Sequence, residues 1–141
     1  MPMKKLLLTS VLVFAMAIPA FAQNGPIKIK PLMVYTSDGS GSPTSWFTVG
    51  ETIGVANMFE IKGTGTFRIR LEVRNSAGVL IEKEVYTETV DNNGFGGWTI
   101  YGSLSPEVPE VPGYYTVKFV YVDLANRNTW SHQTKIHVEA P

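Results

Sequence analysis

Trp46, Trp98 and Trp130 are the side chains of this sequence best suited to hold a ligand, because a flat indole face packs against a sugar ring or anchors a protein interface. Core packing competes for the same surface, since a domain of this size ordinarily buries one or two tryptophans. Of the three, Trp98 has the richest setting. Asn92, Asn93, Phe95 and Tyr101 surround it in a glycine-rich segment of the kind found at sheet ends, where loops meet ligands. The expected contact set is Trp98, Tyr101, Phe95, Asn93 and Trp46. The same glycines would equally build a β-bulge that touches nothing.

Other candidate chemistry is weaker. Asp91-Asn92-Asn93-Gly94 begins like a calcium loop, in which hard cations gather several oxygen ligands in a tight turn. The fifth position is Phe95 and the twelfth is Gly102, so the bidentate carboxylate is missing and an Asn-Gly turn is the better reading. Asp123 with Asn126 and Asn128 reads in the same way as turn capping. His132 and His137 are five positions apart on one extended segment, face opposite sides, and cannot chelate one ion together. Each reads as a solitary polar residue. Glu107 and Glu110 stand in an exposed proline-rich stretch without the burial that raises an acid's pKa, and no Gly-x-Ser-x-Gly elbow occurs. The expectation is a non-enzymatic chain with no catalytic residue, no metal site and no cofactor.

Composition narrows the partner class. There is no cysteine in the 141 residues, so packing alone must hold the fold. Residues 1–22 read as a cleavable export signal: Lys4 and Lys5, a thirteen-residue apolar run from Leu6 to Ile18, then small residues at Ala20 and Ala22 before Gln23. The run is shorter than the roughly 20 residues that span a bilayer, so the mature form, residues 23–141, is expected to be a single periplasmic or extracellular domain that does not span a membrane. Loss of Lys4 and Lys5 turns 12 basic against 12 acidic residues into 10 against 12, a balance that argues against nucleic acid.

The elements that must position these side chains are strands. Apolar residues recur at every second position, and no window of the mature chain sustains a period of 3.6. Phe67, Ile69, Leu71 and Val73 point to one face while Arg68, Arg70, Glu72 and Arg74 point to the other. Asn75-Ser76-Ala77-Gly78 makes the turn, and 79–87 returns with Ile81 and Val85 expected inward and Glu82 and Glu84 outward, opposite the arginines. Ile27 to Tyr35, which contains Pro31, reads as an edge strand. Trp46 to Val49 is a short strand, and Thr52 to Ile61 a longer one with Asn57 buried among Ile53, Val55, Phe59 and Ile61. A strand from Trp98 to Tyr101 follows the glycine-rich turn. Tyr114 to Val122 is apolar enough on both faces to be central, and Trp130 to Val138 closes the domain with Lys135, His137 and Glu139 outward.

This pattern specifies an all-β fold, an antiparallel two-layer sandwich of seven or eight strands. Phe47-Thr-Val-Gly-Glu51, and the run from Pro112-Gly113-Tyr114-Tyr115 to Asp123, resemble bacterial extracellular immunoglobulin-like or fibronectin-type-III-like domains over most of the mature chain. The resemblance implies that Tyr115 is buried and that its hydroxyl ties down a neighbouring connection. The disulfide pair of antibody-type domains is absent. Three functions fit: an exported module that binds a protein or a surface polymer, a carbohydrate-binding module, or a subunit of an extracellular assembly joined through the edge strand at 27–35.

Overall fold

The computed structural model describes residues 9–12, 25–104 and 109–141. The expected export signal and Glu107 lie outside these, apart from residues 9–12. Seven strands are described: β1 (Thr9–Leu12), β2 (Lys28–Ser37), β3 (Trp46–Thr48), β4 (Gly54–Asn75), β5 (Leu80–Ser103), β6 (Gly113–Asp123) and β7 (Thr129–Glu139). The β4–β5 hairpin, closed by Asn75 side-chain bonds to the amides of Ala77 and Val79, is the backbone of the molecule. Its base limb, 54–62 with 96–103, pairs with β2. Its tip limb, 66–75 with 80–90, pairs with β6, which pairs in turn with β7.

The two limbs belong to one continuous sheet that bends at Gly63 and Gly65 and curls around a shared core. Gly63 has φ 103°, and a Cβ there would lie 2.3 Å from the carbonyl oxygen of Pro26, so both backbone conformation and close approach require glycine. Inside the curl, Phe59 of the base limb packs on Tyr121 and Phe67 of the tip limb, with ring centroids 4.8 and 6.3 Å apart. On β4 and β6 the predicted period-two faces supply the core, where Phe67, Ile69, Leu71, Val73, Val117 and Phe119 are at most 1% exposed.

The all-β expectation holds, while the expected arrangement changes in three respects. First, 52–61 and 66–74 form one strand rather than two, as do the segments on either side of 91–97, because ladder hydrogen bonds continue through the bend. Second, the sheet is mixed, since β3 runs parallel to β7. Third, the register shifts between Val73 and Arg74, which pair with Glu82 and Leu80. That extra residue inverts the return strand. Glu82 is 2% exposed and Val85 is 47% exposed, the reverse of the expected faces.

Other expectations are met. β2 pairs with β4 along one side, with its bulge following Pro31, and β6 is central between β4 and β7. Tyr115 is buried and its hydroxyl donates to the carbonyl oxygen of Val111. β1 lies antiparallel beside β5, with Leu12 opposite Trp98.

Candidate functional site

The expected contact set does not come together. Trp98 is only 6% exposed; it packs inside the curl against Phe67 and Phe59, with centroids 5.6 and 5.8 Å apart. Its alternation partner Tyr101 faces outward on the base limb. Asn93, Gly94 and Phe95 form not a turn but a bulge, for Gly63 pairs with Asn92 and Ile61 with Gly96, leaving three residues opposite one. Asn92 is buried and donates to the carbonyl oxygen of Ile61 at 3.3 Å, while the carboxylate of Asp91 accepts from the Thr64 hydroxyl at 2.7 Å. Phe95 lies exposed beneath two ammonium groups, Lys30 at 4.4 Å and Lys62 at 4.8 Å from its ring centroid. Trp46 sits on the tip limb's outward face, more than half exposed.

Trp46 instead belongs to a row of rings that the sequence does not announce. Along β3, Phe47 turns into the core and Trp46 therefore turns out; along β7, Ile136 and Val138 turn in and His137 out; along β6, Tyr115 turns in and Tyr114 out. Strand pairing brings the three outward residues into one line, with Trp46 opposite His137 and His137 opposite Tyr114. The ring centroids are 4.2 and 4.5 Å apart, tilted by 55° and 53°. Trp46 is 57% exposed and Tyr114 50%. The loop before β3 fixes the row, because the Thr44 hydroxyl accepts from the Trp46 amide at 3.1 Å and the Ser45 carbonyl accepts from the His137 amide at 2.8 Å. His137 is therefore no solitary residue but the middle of an aromatic ladder. The outward position of each residue was readable; the neighbourhood of β3 and β7, a parallel pairing about ninety residues apart, was not.

Tyr114 stands between two clefts. One, of about 360 Å³, runs along the outward face and is lined by Thr116, Lys118, Gln133, Lys135 and Arg74. The other, of about 510 Å³, lies between the hairpin turn at 75–77 and the segment 110–115. Glu72 also lines the first, where it accepts from Arg70 at 2.6 Å and from Arg74 at 3.4 Å. Burial pushes the Glu72 carboxyl up, and the bond and charge of Arg70 with the charge of Arg74 outweigh it, so the group titrates below its usual range. Arg70 and Arg74 thus pair with a glutamate on their own strand, not with Glu82 or Glu84 across the ladder.

His132 serves a different purpose. It points into the curl, where its Nε2 lies 2.7 Å from Asn57 Oδ1 and 2.9 Å from the Tyr121 hydroxyl, which donates to the same Asn57 oxygen at 2.6 Å. This polar triangle satisfies the buried Oδ1 of Asn57, though not its Nδ2, and joins base limb to tip limb. Burial lowers the pKa of His132 and raises that of Tyr121. Asp123 caps its turn as expected, accepting from the amides of Ala125 and Asn126. No group of three His, Cys, Asp or Glu among the described residues could hold a metal ion.

No protein-family model matches the chain, and no curated protein matches it. Solved structures do. The C-terminal domain of wzt aligns with a TM-score of 0.58 at 11% identity, covering 82% of this chain and 74% of that domain. A family 123 glycoside hydrolase from Clostridium perfringens aligns with a TM-score of 0.50 at 7% identity, over 82% of this chain and 27% of the enzyme. At such identities the likeness is one of fold alone, shared with a C-terminal domain in one case and with about a quarter of an enzyme chain in the other.

Proposed function

We propose that this chain is an exported, immunoglobulin-like, non-enzymatic module that binds a protein or surface polymer through the outward face of β3, β7 and β6. The Trp46–His137–Tyr114 row is the observation that carries this reading. Two large rings half or more exposed, held in register by three strands, form a rigid contact at low entropic cost, and rigid aromatic anchors dominate binding energy. The leader read in residues 1–22, the buried Tyr115 with its bond to Val111 and the fold likeness support an extracellular domain of immunoglobulin type. The polar triangle of His132 is spent on joining the two limbs, and Glu72 is engaged by two arginines, so neither stands as an acid or base for a substrate.

Affinity electrophoresis through gels containing different surface polysaccharides, together with a panel of hydrolase substrates, tests the proposal. The expected result is retardation by at least one polymer, lost in Trp46→Ala, and no turnover. A reproducible turnover abolished by one carboxylate or histidine substitution would replace this reading with an enzyme.

A further inference from the structure

The outward face of the tip limb is strongly polarised in charge. Strand register places Lys83, Glu72, Lys118 and Gln133 in one row across four strands, and Leu80, Arg74, Thr116 and Lys135 in the next. The aromatic row is the third. Arg68 and Arg70 continue the face in the other direction, opposite Val122 and Val120. Six of the ten basic residues after position 22 therefore share one face: Arg68, Arg70, Arg74, Lys83, Lys118 and Lys135. Of the twelve acidic residues, Glu72 sits among them and Glu139 beyond the rings, opposite Thr48. The register shift after Val73 makes this segregation, since it turns Glu82 away from the arginines and leaves Lys83 on their side.

We infer that the ligand of this face is an anionic polysaccharide, a chain of sugar rings bearing carboxylate or sulfate groups, whose apolar ring faces lie on Trp46 and Tyr114 and whose charges meet Lys118 and Lys135. The inference rests on the binding-module reading and adds the chemical class. Outward positions on one strand are about 7 Å apart, so Tyr114 to Lys118 spans about 14 Å, room for several sugars in line. Thr116 and Gln133 line the cleft between ring and cations, and their donors and acceptors suit hydroxyl groups.

Isothermal titration calorimetry with the full chain tests this against oligogalacturonate, cello-oligosaccharide of the same length, oligo-aspartate and single-stranded oligo-dT. Oligogalacturonate is expected to bind at least about tenfold tighter than the other three, a difference of about 1.4 kcal/mol. Lys118→Glu with Lys135→Glu should weaken it about tenfold or more, and so should raising salt from about 50 to about 500 mM. Trp46→Ala with Tyr114→Ala should abolish it, with unchanged circular dichroism showing that these variants fold. Equal binding of the uncharged cello-oligosaccharide, still lost in the aromatic double variant, would overturn the charge inference and leave the module intact. Oligo-aspartate or oligo-dT binding as tightly as oligogalacturonate would show bare electrostatics and overturn the sugar. Binding of oligogalacturonate that survives loss of both rings would sink the site itself.

Discussion

On the base limb the outward face shows Leu32, Met33, Phe95 and Tyr101; on the tip limb it shows Trp46, Tyr114 and six cations. Both faces expose apolar side chains, but they dispose of charge differently. Lys30 and Lys62 are drawn over the ring of Phe95, and Lys30 also meets Glu60 at 3.6 Å, so two of the base limb's three lysines are engaged by a ring or a carboxylate within the molecule. On the tip limb one glutamate pairs with two arginines, and Lys83 and Lys118 flank it on the neighbouring strands. Exposure alone therefore does not distinguish the two faces; the aligned rings and the cluster of six cations do.

The largest effects should separate two of the three tryptophans, Trp98 and Trp46. Trp98→Ala removes an indole from the core and should cost about 3–5 kcal/mol in urea unfolding. Trp46→Ala should cost no more than about 1 kcal/mol, because the ring is mostly in solvent, while removing binding. Equal costs would erase the distinction between core and face.

The polar triangle offers the next test, on the seam between the limbs. Tyr121→Phe takes one donor from Asn57 and should cost about 1–3 kcal/mol. Because burial lowers the His132 pKa in the folded state, the unfolded chain takes up that proton first as the medium acidifies. The contribution of His132 to stability is whole above its unfolded value near 6.5 and is lost as pH falls from there toward the lower folded value. Melting temperature should therefore drop between about pH 7 and pH 5, and this part of the drop should vanish in His132→Gln. A smaller effect is expected where Tyr115 holds the chain before β6: Tyr115→Phe, which loses one bond to Val111, should cost about 0.5–1.5 kcal/mol.

How far the sequence reached follows from what period-two alternation encodes. It assigns faces within a strand, so the cores of β4 and β6, the outward His137 and the inward Tyr115 were all legible. It does not encode an extra residue, so the shift after Val73 reversed Glu82 and Val85 unseen. Neither does it say which strands become neighbours. The glycines beside Trp98 suggest a loop at a sheet end, but they belong to a bulge, and alternation continues to carry the indole inward. Trp46 lay in a three-residue strand whose parallel partner follows from tertiary packing, and with that pairing hidden, Tyr114 and His137 were not recognisable as its companions.

Amide chemical-shift mapping of ¹⁵N-labelled protein titrated with oligogalacturonate tests directly whether the face of β3, β7 and β6 binds the polymer. Perturbations are expected to cluster at Trp46, Tyr114, Lys118, Lys135 and His137, with Lys30, Phe95 and Tyr101 unmoved. Shifts centred on those three base-limb residues, or no shifts anywhere, would contradict binding at that face.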